Sequence, residues 1–230
     1  MKRAVELFTF EGVPSGSRHV SAAWRAHSEP EPEGGFMSVA VTNWEIVVTR
    51  QAAGTWLTVR GPESKASPAP IPADAEFFGI QFSLGTFLPQ VDMRRLVDRS
   101  WTLPPASDTS FFWLDGSTWE LPGPGTADVF VDRLVRAGLL VHDPVVPAAM
   151  HDDVEGLSTR SVERRVARAT GLTRGTIRQV RRAERAVELL DRGVPALEVT
   201  RRAGYADQPH LTRSLKRFVG QTPSTSTGGS

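Results

Sequence analysis

The sequence predicts an α+β protein of 230 residues: a β-rich N-terminal domain that also carries helices, followed by an all-helical C-terminal domain. Three observations point there. Runs dense in β-branched and aromatic residues, such as WEIVVTR and FFGIQFSLGTF, fall in the first half, while from Ser158 onward apolar residues recur at helical spacing. Charge divides in the same way. Ser158 to Arg217 holds 15 Lys and Arg against 6 Asp and Glu, net +9, and the other positions hold 12 against 20, net −8, so the overall +1 conceals two segments of opposite sign. A compact basic domain is the electrostatic footprint of a polyanion binder, and a basic face that only docks on the acidic part is the other reading. Finally, cysteine is absent, which excludes a disulfide framework, a thiolate zinc site and a cysteine nucleophile.

In the N-terminal part, Trp44 to Arg60 reads as a hairpin, with QAAG as its turn between WEIVVTR and TWLTVR. FFGIQFSLGTF places Phe78, Ile80, Phe82 and Leu84 on one strand face. GPESKASPAPIPAD, with prolines at 62, 68, 70 and 72, and SEPEPEGG read as loops. VDMRRLVDRS is a short candidate helix, and TADVFVDRLVRAG a longer one, with Phe130, Leu134 and Ala137 as its stripe and Gly138 as its stop. A small sheet or barrel followed by helices is expected, ending near HDPVVP, so the domains are placed at 1–145 and 146–224. The low-complexity tail, 225–230, is expected to be disordered. The six tryptophans are candidate pocket lining but read as core when taken together.

The C-terminal part is helix after helix. Ser158 caps a helix with Val162, Val166 and Ala169 inward and Gly171 as stop; Thr173 caps a longer one with Ile177, Val180, Ala183 or Ala186, Val187 and Leu190 inward, ended by Gly193. PALEVTRRAGY is a third, with Ala196, Val199, Thr200 and Ala203 inward. In GYADQPHLTRSLKRFVGQTP, residues 204–223, Leu211, Leu215 and Phe218 lie at i, i+4, i+7; Asp207 is the N-cap, Pro209 sits in the first turn, and Gly220 with Pro223 stops the helix. Its other face carries Gln208, Thr212, Arg213, Lys216 and Arg217, amide and guanidinium groups that can pair with base edges and phosphates. A short helix, a glycine turn and a polar-faced second helix is the order of a helix-turn-helix unit.

LSTRSVERRVARATGL, RRAERAVELL and GYADQPHLTRSLKRFVGQTP resemble the DNA-binding domain of AraC-type transcription regulators over roughly Gly156 to Ser224. The resemblance implies two helix-turn-helix units joined by a long helix, here Thr173 to Asp191, with two recognition helices in successive major-groove segments. It implies base-contacting slots at Arg160, Glu163 and Arg164 in the first recognition helix and at Gln208, Pro209, Thr212 and Arg213 in the second. Arg165, Arg168, Lys216 and Arg217 suit phosphate positioning. Pro209 cannot donate a hydrogen bond and is left with apolar contact, and Glu163 has nearby arginines as competing partners. The sequence departs from the family where VVPAAMHDDVEG stands in place of an apolar helix, so a truncated or distorted first unit is expected; Thr200 stands where the family prefers alanine, its hydroxyl able to bond a backbone carbonyl.

The N-terminal part is similar, less specifically, to the sensory or dimerisation domains attached to such regulators. A cupin-like metal enzyme is the rival from another class, but its clustered histidines are missing: only His19 and His27 precede the helices, and they are not closely paired. A methyl-accepting repair domain is excluded for want of cysteine. The expectation is a transcription regulator, not an enzyme, with no cofactor and no metal, whose partner is duplex promoter DNA. RNA polymerase, an unidentified small-molecule effector and a second copy of the chain are further candidate partners. The alternative is a small-molecule-binding protein whose basic domain makes protein contacts. MKRAVELFTFEGVPSGSRHV lacks the apolar core of a signal peptide and no run reaches transmembrane length, so a soluble cytoplasmic protein without membrane contact is expected.

Overall fold

The computed structural model describes residues 8–29, 36–70, 72–105 and 110–221. Positions 30–35 of the expected SEPEPEGG loop, Pro223 and the tail 225–230 lie outside them. The N-terminal strands are β1 (Phe8–Val13), β2 (Val20–Ser28), β3 (Phe36–Ser38), β4 (Glu45–Gln51), β5 (Gly54–Arg60), β6 (Ser67–Ala69), β7 (Glu76–Phe82), β8 (Thr86–Phe87), β9 (Ser100–Thr102), β10 (Phe111–Leu114), β11 (Ser117–Glu120) and β12 (Val141–His142). Six of them form one antiparallel sheet in the order β1-β2-β7-β4-β5-β9. The expected hairpin is β4–β5, paired from Glu45↔Arg60 to Gln51↔Gly54.

Alternation gives this sheet two different faces. Ile46, Val48, Leu57, Val59, Phe78 and Ile80 point to one side and are buried in the apolar cluster to which α1 (Ala127–Arg136) contributes Phe130, Val131 and Leu134. The opposite face presents Trp24, Glu45, Val47, Arg60 and Phe77, and lines a cavity.

Several local expectations need correction. GPESKASPAPIPAD is not all loop: β6 within it pairs with β3, Pro68 opposite Met37, an edge position where a missing N–H is tolerated. VDMRRLVDRS makes only a 3-10 turn, Met93–Arg95, capped by Asp92, because Asp98 at φ +56° turns the chain away. Leu84 is buried, but beyond the strand: β7 stops at Phe82, and Gly85 at φ +94° bends the chain into β8, which pairs with β12. Ala137 is exposed, since α1 ends at Arg136; Gly138 at φ +71° reverses the chain, and the buried Leu139 and Leu140 donate their amides to the Leu134 carbonyl. The tryptophans divide: Trp44 stacks on Phe82 at 4.0 Å and Trp119 is buried, Trp24 lines the cavity, and Trp101 and Trp113 are exposed.

The remaining helices are α2 (Val145–Met150), α3 (Thr159–Thr170), α4 (Arg174–Asp191), α5 (Ala196–Arg202) and α6 (Gln208–Phe218). The expected division at 145/146 falls within α2. Val162, Val166, Ala169, Leu172 and Ile177 join the same apolar cluster as Phe87, Leu88 and Met93 of the β-rich part. A second cluster is built from Val180, Ala183, Ala186, Leu190, Val199, Leu211, Leu215 and Phe218, and Ala40 inserts into it.

Candidate nucleic-acid interface

Local sequence builds each helix of the interface. Ser158 Oγ accepts from Ser161 N at 3.3 Å, and Gly171 at φ +72° closes α3. A side chain at 171 has no room: a Cβ there would lie 2.4 Å from the Met93 carbonyl oxygen, so this turn is pressed against the β-rich part. Thr173 Oγ1 accepts from Thr176 N at 3.1 Å to start α4, and Asp207 accepts from His210 N at 2.6 Å to start α6. Thr200 donates to the Ala196 carbonyl at 2.9 Å, so its hydroxyl is satisfied inside α5.

On α3, Val162, Val166 and Ala169 face inward while Arg160, Arg164 and Arg168 are exposed at i, i+4, i+8, one row on the outer side. Glu163 does not stand free beside them, because Arg174 Nε lies 3.2 Å from its Oε1. Arg174 and Arg178 also converge on Asp152, at 3.2 and 2.7 Å. The hydrogen bond from Arg178 is the main reason the Asp152 carboxyl is held below the usual range. Arg165 turns toward the β-rich part, whereas Arg168, the last of the exposed row, only reaches its edge. Arg165 donates from Nε to Asp143 Oδ2 at 2.7 Å and from Nη2 to Oδ1 at 2.9 Å, and Arg168 lies 5.5 Å over the Phe87 ring.

The helix before α3 is short. α2 has six residues, with Val146 and Ala149 buried, and ends at His151; Asp152 at φ +57° then breaks the chain direction. On α6, Leu211, Leu215 and Phe218 are buried, Gln208, Pro209, Arg213, Lys216 and Arg217 are exposed, and Thr212 is half-buried. Tyr205, in the turn before α6, fixes the helix: its hydroxyl is 2.9 Å from Ser214 Oγ, and Arg182 of α4 lies over its ring at 5.6 Å. α4 packs on both α3 and α6 and so sets the two outward faces relative to each other.

One relationship was invisible in the sequence. The last carbonyls of α6 are capped by the β-rich part: Ala40 N donates to Phe218 O at 2.7 Å and Ala66 N to Arg217 O at 2.8 Å. Gly220 at φ +76° then packs on Met37, whose Cγ would be 2.5 Å from a Cβ at that position. Residues 40 and 66 carry no side-chain signal for this contact, since only their backbone amides take part. Among the described residues, no group of three or more His, Asp or Glu is gathered where it could hold a metal ion.

A family profile described as a helix-turn-helix domain matches residues 153–227. The HTH-type transcriptional regulator RipA of Corynebacterium glutamicum is 28% identical over 124 residues, which cover 48% of this chain and 38% of the relative's length. Two solved structures of ToxT from Vibrio cholerae overlay on the chain with a TM-score of 0.39: one, a P21 crystal form, at 9% identity over 95% of this chain and 97% of that one, and the other, from strain O395, at 8% over 98% and 100%. The basic helical segment, with its capped helices, glycine turns and outward arginines, is a helix-turn-helix domain of the AraC type.

Proposed function

We propose that the chain is a sequence-specific regulator of transcription that binds duplex promoter DNA through α3 and α6. The observation that carries this is α6: a capped helix, sealed on one side by Leu211, Leu215 and Phe218, that turns Gln208, Thr212, Arg213, Lys216 and Arg217 outward from an AraC-type domain. The 18 residues of α4 rise roughly 27 Å, near the roughly 34 Å of a DNA turn, which suits a linker between two reading helices.

In this reading Arg160, Arg164, Gln208, Thr212 and Arg213 contact bases and Pro209 makes apolar contact. Glu163 reads a base only after leaving Arg174. Arg168, Lys216 and Arg217 hold phosphates, and Arg165 joins them on release from Asp143. Residues 146–224 act as the DNA-binding part, and residues 1–145 sense an effector or partner. RNA polymerase and a second copy of the chain are the protein partners this reading would involve. It entails no enzymatic step and places the protein in the cytoplasm; no helix among the described residues is long and apolar enough to cross a membrane.

Selection of random duplexes by the full chain tests the proposal, with an enriched motif expected. Affinity for that motif should fall with salt at a log–log slope of about −4 to −8, since each phosphate contact contributes roughly −0.9. Absence of a motif, or a slope near zero, would overturn it.

A further inference from the structure

The face of the six-stranded sheet turned away from α1 is separated from the β3–β6 ribbon by a cavity of about 650 Å³. Phe10, Trp24, Phe36, Val47, Pro68 and Phe77 contribute to its apolar lining. Its polar end is Glu45, Arg60 and Glu63. Glu45 and Arg60 are cross-strand partners in β4–β5, so they emerge side by side on the cavity face. Arg60 Nη1 lies 3.2 Å from Glu45 Oε1, and its Nη2 lies 3.4 Å from Glu63 Oε1. Trp24 Nε1 donates to Glu45 Oε2 at 3.3 Å and Ser38 Oγ donates to Glu63 Oε2 at 2.7 Å.

Both carboxylate side chains are only 16% exposed, and a single guanidinium serves the two of them. With both ionised, the group is one positive charge short. Burial pushes both carboxyls above their ordinary range, Arg60 opposes it at each, and Asp98 adds to the rise at Glu63. An occupant that brought a cation would supply the missing charge, whereas an anion would face two carboxylates. Beyond the polar end the lining is mainly aromatic and aliphatic, with Thr49 and Thr58 among it, and the Trp24 indole can also favour a nearby cation.

We propose that this cavity is a binding site for a ring-bearing organic monocation, its ammonium at the polar end against Glu45 and Glu63, which Arg60 bridges, and its ring against the apolar walls. Val219 and Gln221, which follow α6 directly, line the same cavity, as do Met37 and Ser38, close in sequence to the Ala40 amide that caps α6. Occupancy therefore bears on the mooring of α6. This coupling to DNA rests on the DNA-binding reading above; the ligand site does not.

The test is calorimetric titration of the full chain, without DNA, by three indoles of similar shape and different charge: tryptamine, tryptophol and indole-3-acetate. Tryptamine should bind at least about tenfold more tightly than indole-3-acetate, with tryptophol between, and Glu63→Gln should weaken tryptamine about tenfold while hardly affecting tryptophol. Glu45→Gln, which leaves Arg60 paired with Glu63, is the second variant; thermal melting identifies whichever variant is folded. Preference for indole-3-acetate, equal binding of all three, or no heat from any at millimolar concentration would overturn the site. Fluorescence anisotropy on the selected duplex is then run with and without saturating tryptamine. A shifted midpoint is expected, and by linkage saturating DNA should shift the tryptamine affinity by the same factor. An unchanged midpoint on DNA that binds normally would overturn the coupling alone, while failure to bind any duplex would count against the DNA-binding reading and not the cavity.

Discussion

Arg165, on the basic helix α3, is held by Asp143, on the segment that follows β12, through two parallel hydrogen bonds of 2.7 and 2.9 Å. This planar, bidentate pairing is the geometry in which guanidinium also grips phosphate, so on the proposed reading DNA would compete with Asp143 for the same group. Asp143→Asn should leave the turn intact, because an amide oxygen can still accept from Val145 N. Affinity for duplex DNA should rise and the salt slope should steepen by about 0.9, one additional phosphate contact. Anisotropy across a salt series checks this, and an unchanged slope would show that Arg165 does not reach the duplex.

The two faces of α6 predict separable variants. Arg213→Ala should melt like the parent but lose about 1–3 kcal/mol of specific binding and relax the preference at one base pair. Lys216→Ala should weaken specific and scrambled duplexes alike, since a phosphate contact carries no sequence information. Leu215→Ala, at a fully buried position, should destabilise the domain by about 2–5 kcal/mol and lose DNA binding only through unfolding. Melting curves beside binding to both duplexes distinguish the three; early melting of Arg213→Ala with a stable Leu215→Ala would mean the helix faces are reversed.

Gly79 lies under the Trp24 indole, and a Cβ there would sit 2.1 Å from the ring. Gly79→Ala should force the indole off the sheet and away from Glu45, at a cost of about 1–3 kcal/mol from overpacking. The expected readout is an earlier melt together with altered tryptophan fluorescence. A parent-like melt and spectrum would mean that the sheet absorbs the methyl without moving Trp24.

Acid should loosen the contact around His19 and His142. Their rings are 6.0 Å apart, His19 Nδ1 is buried without a partner, and Thr86 Oγ1 lies 3.0 Å from His142 Nδ1. Burial, and then Arg18, push both imidazoles below their ordinary value of 6.5; His142 lowers His19 further, while Asp132 and Asp143 pull weakly the other way. The unfolded chain therefore takes up these protons first. The stability they contribute is complete above about pH 6.5 and is lost as pH falls through the lower folded-state values. Glu45 and Glu63, pushed upward, favour the folded state as they protonate, so the informative quantity is a difference. Between pH 7 and 5 the melting temperature of His142→Gln should fall less steeply than that of the parent; parallel slopes would exclude His142 as a contributor.

What could be read from the sequence alone was local. Helix α6 and its inward face followed from Asp207, Leu211, Leu215 and Phe218, because a cap and an i, i+4, i+7 stripe act within a few turns of one chain segment. The β4–β5 hairpin and the caps at Ser158 and Thr173 were legible for the same reason. Only the tertiary structure decided that Arg165 faces Asp143, 22 residues away, that His19 meets His142, and that Ala40 and Ala66 cap α6 through their backbone amides. It also decided that Glu45, Arg60 and Glu63 close one end of a cavity, since a strand's alternation states that two faces exist but not which is filled. Those contacts arise from packing between distant segments, and neither spacing nor residue type records which segments will meet.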